Sequence, residues 1–440
     1  MNEENNNSLK EKDEIGFSEI DLKRANIIAQ TFVEKVETTA PVRLASTADE
    51  KSSALKIREL FHKTLGLPSR MEPFTVRPLA GRFGIPILGA VYALALGNYI
   101  IGVLVSHPIS YMFLAFAIML TLLDGAVFTV QVLINKNTFN FCFPKRTSYN
   151  VTSTIEARGS CEYTLVLGGH YDSDMDRADI FMFLKDKNLP KWLSKMFKLL
   201  AFLSVPTLFV FSAVTICLPQ RGAADKAFLF LFPTIFCGLA IFYLITYFSY
   251  KKRNSSIGHE GLQGAGLTLA VADYLRLHPD AVPENCRIVL ACFGAKECGA
   301  KGSEQFITQH YGRDELLVNP VFLDIAKVGE CGTAVVQGDK QFKLNYDLKV
   351  TNIAYNTLKN CGLTPDFAYN KAMVTDSTPF ARHKIPAATL ELRTGDNGLS
   401  DAYGDAFRGA VNTVADILSY MKERQEKYKG TIVEDISQIV

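Results

Sequence analysis

Three apolar stretches of this chain each run into side chains that can bind a metal ion or move a proton. Residues 163–168 lead into His170 and Asp172 (GGHYDS), 287–294 into Lys296 and Glu297 (FGAKECGAKGS), and 321–323 into Asp324 (VFLDIA). Short buried strands ending in carboxylates and a histidine are one way an α/β sheet builds a hydrolytic metal site, where an ion polarises the scissile bond and a nearby acid or base relays the proton. His170 and Asp172 lie one residue apart, so on an extended segment they point the same way. Asp172 is then placed to orient the imidazole of a metal-bound histidine, although a loop histidine beside a turn aspartate has the same spelling. Asp324 interrupts an apolar strand, and a buried carboxylate needs either a hydrogen-bonding partner or a metal. Glu297 reads as a ligand or as a solvated residue entering a helix. Lys296 is the exception, an ammonium where such a site calls for a second acid.

Two later segments add candidates. In TDSTPF, Asp376 and Ser377 stand ahead of Pro379, as a substrate-side loop or as helix-capping side chains would. Asp401 and Asp405 lie in the turn-rich GDNGLSDAYGD before the last helical stretch, where Asp405 is most simply an N-cap.

The elements that must position these groups follow from periodicity. Residues 17–36 and 50–65 repeat as helices and 71–76 as a strand. Strands are expected at 150–156, 163–168, 287–294, 321–325 and 386–392. Helices are expected at 264–277, 303–310, 346–360 (closed by Gly362) and 405–427. Buried strands alternating with helices imply an α/β fold, a mixed but mostly parallel sheet flanked by helices.

This pattern is broken by four apolar runs, at 83–105, 109–134, 199–218 and 227–250, in which Asp124 is the only acid and Lys, Arg and Glu are absent. Each is long enough to cross a bilayer as a helix. They pair into two transmembrane hairpins, giving four membrane helices. Asp124 is costly in lipid and is expected to face another helix or a polar surface. The turns hold little positive charge (SHP, then PQRGAADK), whereas the outer flanks carry Arg77, Arg82, Lys136, Lys145, Arg146, Lys185, Lys187, Lys191, Lys195, Lys198, Lys251, Lys252 and Arg253. Cationic flanks stay in the cytoplasm, so both termini and everything outside the hairpins are expected there. The division is a disordered tail at 1–16, one α/β domain from 17–82, 135–198 and 251–430, hairpins at 83–134 and 199–250, and a C-terminal tail at 431–440.

Composition agrees. Across 440 residues, 48% are hydrophobic although 21% are charged, and the mean hydropathy is +0.10; that mixture suits a soluble part joined to a membrane part. A net charge of +2 and the lack of a basic, aromatic-interleaved patch argue against nucleic acid as a partner. Nine scattered cysteines without a CxxC pair read as free thiols in a reducing compartment. The polar N-terminus (MNEENNNSLKEKDE) shows no secretory signal.

Taken together, NVTSTIEA followed by VLGGHYDS, then FGAKECGAKGSEQF, VFLDIA and TDSTPF…IPAATLEL resemble the co-catalytic two-zinc aminopeptidase family. That family also holds glutaminyl cyclases, glutamate carboxypeptidases and noncatalytic members such as transferrin receptor, nicastrin and nicalin. The resemblance covers the chain from about residue 17, less the hairpins, and implies a zinc-exopeptidase-like fold. By it, His170 and Asp324 correspond to ligands of the first zinc, Glu297 to a ligand of the second, and Asp172 to the orienting aspartate. Where the family has a bridging aspartate, SIGHEGLQGAG offers Glu260; where it has a last histidine ligand, Asp401 stands four residues before Asp405. The general-base glutamate is replaced by Lys296, and His259 is a candidate substitute base. All five ligand positions thus keep metal-capable side chains, and zinc is expected as one ion or two, or as none if the Lys296 ammonium takes a cation's place.

The function implied is a membrane-anchored, aminopeptidase-like metallopeptidase, multi-pass in the cell membrane, acting at its cytoplasmic face on peptide or protein N-termini near the bilayer. A noncatalytic scaffold or binding module that kept the peptidase fold is the other reading. A four-helix transporter with a soluble regulatory domain is disfavoured, because Asp124 is the lone ionisable group in the apolar runs.

Overall fold

The computed structural model describes residues 17–105, 108–130, 138–173, 176–177, 191–218, 223–247, 250–251, 259–329, 332–340, 343–370, 374–393 and 403–439. The expected tail at 1–16 and Asp401 lie outside the described residues; His259 and Glu260 begin a helix, with their side chains outside the description. Contacts divide the chain into two units: Met1–Val76, Arg146–Asp174 and Asn254–Val440 form one, Arg77–Lys145 and Met175–Arg253 the other.

The first unit is built on a mixed sheet. Its strands are β1 (Ser69–Val76), β2 (Arg146–Ile155), β3 (Tyr163–His170), β6 (Cys286–Phe293), β7 (Val321–Gly329), β8 (Ala334–Asp339), β9 (Leu344–Asn345), β10 (Asp366–Asn370) and β11 (Ala387–Arg393). They run in the order β1-β2-β6-β3-β7-β11-β8-β10, with β9 on β8. The central four, β6, β3, β7 and β11, are parallel, and β2 and β8 flank them antiparallel. Every residue of β3 is buried, which is why it reads as an unbroken apolar run rather than an alternating one. Alternation survives in the packing. Leu165, Leu167, Ile288, Leu290, Val321 and Leu323 face one core, while Val166, Val289, Phe293 and Phe322 face another.

The first core is covered by α1 (Glu19–Thr39), α2 (Ala48–Leu65), α7 (His259–Leu277), α9 (Leu348–Asn360) and α11 (Gly404–Ile439). Ser18 and Asp21 close a capping box at the start of α1, and Arg24 of α1 grips Asp273 of α7 at 2.5 Å. The second core is covered by α8 (Lys301–His310) and α10 (Ser377–Arg382), where Phe322 and Phe380 stack with centroids 3.9 Å apart. Gly169 lets α7 close on β3, since a Cβ there would lie 2.9 Å from the Ala265 Cα. The last helix continues to Ile439, where a tail was expected from 431. Strands β8 and β10 were not anticipated.

The second unit holds α3 (Pro78–Leu104), α4 (Ile109–Phe128), α5 (Lys191–Cys217) and α6 (Ala223–Tyr247), with a two-residue ladder between β4 (Asp176–Arg177) and β5 (Tyr250–Lys251). Helices α3 and α5 begin ahead of their apolar windows, so the seams fall at residues 77, 145, 175 and 253 rather than at 83, 134, 199 and 250. Two helices among the described residues are long and apolar enough to cross a membrane, Ile87–Leu104 and Ile109–Phe128, and not the four expected. Lys191, Lys195 and Lys198 occupy the first turns of α5, ahead of its apolar stretch. All four helices nevertheless expose large apolar side chains, among them Leu94, Phe116, Phe202 and Phe228. Tyr92, Leu96, Tyr99, Leu114, Leu208 and Cys237 fill the interior. The eight described cysteines are free thiols.

Glu50 of α2 is fully buried in the first unit. It accepts from the Ser148 hydroxyl and from the Ser46 N–H at 2.5 Å, and burial pushes its carboxyl up to about 7. Because the folded value lies above the unfolded one, Glu50 lends full stability below about pH 4.5 and loses it as pH rises through 7. The loss amounts to roughly 3 kcal/mol at most. Glu50→Gln is expected to flatten this alkaline decline between pH 5 and 9 in thermal unfolding; an unchanged decline would assign it to other groups.

Candidate functional site

The site forms at the carboxyl ends of the central parallel strands, where α/β sheets commonly hold ligands. His170 is the last residue of β3, and Asp324 lies in β7 opposite Gly168 on one side and Thr389 of β11 on the other. After β6 the chain turns sharply. Ala295 adopts a left-handed conformation (φ 52°), followed by a short 3-10 turn, Lys296–Cys298. A non-glycine residue in that region carries a conformational cost. Here it is held by burial of Ala295 against Phe74 and Val76. The outcome is that Lys296 turns inward.

The Lys296 Nζ lies 3.1 Å from His170 Nε2 and 3.6 Å from Glu297 Oε1. Burial pushes the imidazole well below its ordinary pKa, and the charge of Lys296 adds to that. The ring is therefore neutral, Nε2 accepts from the ammonium, and the proton sits on Nδ1, which faces Asp376 Oδ2 at 4.0 Å. Burial works against the Lys296 ammonium, but Glu297, Asp376, Asp172 and Asp324 together outweigh it and hold its pKa above the usual lysine value. Burial lifts Asp172 and Asp324 well above the carboxylate range, with the like charge of Glu297 adding to the first and that of Asp376 to the second. Asp376 is raised to about 6 by burial, with Lys296 opposing.

Asp172 does not reach the His170 ring. Its Oδ2 accepts the Glu297 backbone N–H at 3.1 Å, so it braces the turn that presents Lys296. The expected orienting role is thus corrected: the imidazole leans toward Asp376. Asp376 itself is no peripheral loop residue. It is fully buried, accepts from Ser303 Oγ at 2.9 Å, and makes no capping bond to α10. Ser377 donates to the Ala388 carbonyl at 3.2 Å and accepts from Thr389 at 2.7 Å, a structural position. The Thr389 hydroxyl also lies 3.3 Å from Asp324 and reaches Thr375, which meets Tyr346; Tyr346 and Thr378 both bond Asp339. This hydroxyl chain was not visible in the sequence, since Tyr346 read as the first turn of a helix that begins at Leu348.

The described residues do not fit a metal ion on His170. Its Nε2 lone pair, the atom a metal would use, is taken by Lys296. On α7, Gly261 comes so near that a Cβ would lie 2.1 Å from that nitrogen. Among the described residues there is no cluster of three or more His, Cys, Asp or Glu arranged to hold an ion. Yet His170 Nδ1, Asp172 Oδ1, Glu297 Oε2, Asp324 Oδ1 and Asp376 Oδ2 are all buried without a hydrogen-bond partner, so the site carries an unmet demand for positive charge or protons.

The sequence matches no protein-family model and no curated protein. The structure is similar to that of a glutaminyl cyclase from an Acidobacteriales bacterium (12% identity, TM-score 0.43, 93% of this chain and 97% of that one). It is also similar to an aminopeptidase from Aneurinibacillus sp. strain AM-1 (12%, 0.44, 91% and 95%) and to a zinc aminopeptidase from Bacillus subtilis (14%, 0.42, 91% and 95%). At TM-scores below 0.5 these likenesses assign no chemistry, and the functional reading stands on the site's own residues.

Lys296→Met should leave the buried carboxylates without their cation and cost about 3–5 kcal/mol of stability. Adding Asp376→Asn should recover part of that loss, because the two groups share one charge balance. A Lys296→Met protein melting with the wild type would show that the ammonium does not hold the site together.

Proposed function

We propose that this chain is a membrane-anchored, aminopeptidase-like protein whose α/β unit takes peptide or protein N-termini at the cytoplasmic face of the cell membrane. The observation that carries the reading is the convergence of His170, Asp172, Glu297, Asp324 and Asp376 toward the carboxyl ends of the parallel strands, each with one buried polar atom that has no hydrogen-bond partner. Glu260, Asp401 and the substitute base His259 complete the proposed site. One zinc ion, held away from His170, is the most this charge arrangement accommodates. Glu297, the least buried of the described carboxylates here, would also pair with the ammonium of a peptide N-terminus.

A second reading, a noncatalytic pseudo-peptidase that binds or scaffolds, has its own observation. The Lys296 ammonium contacts His170 Nε2, and a charged lysine cannot accept a proton from an attacking water. Membrane anchoring is supported by the outward apolar side chains of the helical unit: Phe228 is 61%, Ile235 60% and Leu122 56% exposed. An apolar surface of that extent suits lipid rather than water. The cytoplasmic placement of the α/β unit is supported by the basic flanks of the hairpins.

Full-length protein in detergent, assayed with aminoacyl reporter substrates with and without added zinc or cobalt, separates these readings. The enzymatic reading expects reporter release that His259→Ala abolishes and Lys296→Ala spares, with no more than one zinc per chain by elemental analysis. Peptide binding without release selects the noncatalytic reading. Absence of both release and peptide binding ends both, and two tightly bound zinc ions would overturn the role given to Lys296.

A further inference from the structure

The helical unit contains a polar layer that its own backbone does not satisfy. Most buried hydroxyls there are answered by a carbonyl: Ser110 by Gly102, Thr121 by Ala117, Ser212 by Leu208 and Tyr99 by Leu229. Two side chains differ. Asp124 of α4 is 2% exposed and Tyr92 of α3 0%, yet Asp124 Oδ1 and the Tyr92 hydroxyl have no hydrogen-bond partner.

These two groups share one level of the bundle. Gly102 of α3 meets Leu114 of α4, and an equal step back along α3 and forward along α4 brings Tyr92 abreast of Asp124. Cys237 of α6, Ser204 of α5 and Asp124 all lie close enough to the Tyr92 hydroxyl to act on it. The Cys237 thiol points to the Ser204 carbonyl at 3.8 Å, tying α5 to α6 at the same height. One turn before Cys237 on α6, the Thr234 hydroxyl is also buried without a partner. The layer therefore receives a polar side chain from every helix of the unit, and no buried Lys, Arg or His accompanies them among the described residues.

We propose that this layer binds a monovalent alkali cation, with Asp124 as its counter-charge and Tyr92 and Thr234 as neutral oxygen ligands. The inference rests on the membrane reading of the helical unit, because hydrocarbon is where a lone carboxylate most needs a counter-ion. A proton would neutralise Asp124 but leave the hydroxyls of Tyr92 and Thr234 unpartnered. An alkali ion draws on the lone pairs of all three, as oxygen ligands replace its hydration shell. A divalent ion would leave uncompensated positive charge beside a single carboxylate.

The test is thermal unfolding of the full chain in detergent, comparing sodium chloride with choline chloride at equal ionic strength. Sodium is expected to raise the Tm saturably, the rise to vanish in Asp124→Asn, and the sodium concentration needed to increase at least tenfold in Tyr92→Phe. Should Asp124→Asn fail to fold, radiosodium binding to the wild type and to Tyr92→Phe carries the test. Equal Tm in both salts overturns the proposal, as does stabilisation that follows pH and ignores sodium. Alkaline carbonate extraction of membranes separates the two failures. A protein retained in the membrane but indifferent to sodium defeats the cation site alone, whereas release into the wash defeats the membrane reading beneath it.

Discussion

Placing several carboxylates and an imidazole together out of water is the constraint from which the α/β unit's active end follows. Each ionised acid removed from solvent is costly unless paired, and Asp172, Asp324 and Asp376 are all essentially buried. The chain meets this with a tethered ammonium and with protons. Lys296 is directed inward by a strained residue, Ala295, and that turn is fastened twice, by the packing of Ala295 on Phe74 and Val76 and by Asp172 at the Glu297 N–H. The surrounding hydroxyls of Ser303, Thr389 and Thr375 then fix which carboxylate oxygen faces which neighbour. What looks in one dimension like a substitution in a motif is, in three, the centre of a charge balance.

The two units use opposite polarity. In the α/β unit, apolar side chains from both faces of the sheet lie inside, and the sheet's central strands are lost to view. In the helical unit, Leu94, Phe116, Phe202 and Phe228 look outward, while Tyr92, Asp124, Ser204 and Cys237 look inward. Small residues let the helices approach. Gly102 and Gly125 lie against Leu114 and Val205, where a Cβ would come within 3.0 Å.

Much of this was legible in the sequence, for physical reasons. The parallel strands are short, continuous apolar runs, so His170 and Glu297 at or just beyond their ends, and Asp324 within one, announced a site. The apolar helices were visible by hydropathy, though not their lengths, since the basic first turns of α5 belong to the same helix as its apolar stretch. Asp376 was ambiguous because a buried acid and a helix cap are spelled alike in TDSTP, and only burial distinguishes them. The partner of Asp172 could not be read, because a side chain bonded to a backbone N–H 125 positions away leaves no local pattern. The same holds for Asp339, Tyr346 and Thr389. Strand β10 escaped because its residues are mostly exposed and carry no apolar alternation.

The α/β unit is discontinuous, drawn from Met1–Val76, Arg146–Asp174 and Asn254–Val440, and this sets an order of events during synthesis. A chain emerging from the ribosome presents α1, α2 and β1 first, then the first hairpin, then β2 and β3 with His170, then the second hairpin. Strand β3 must wait for β6 and β7, its neighbours on either side, which are made only after both helical segments. The helical unit can therefore assemble before the sheet does, and the early strands remain unpaired at their edges in the interval, when such edges are most prone to join the wrong partner. Lys296 leaves the ribosome before Asp324 and Asp376. The cation is thus already present when the last two acids arrive to be buried.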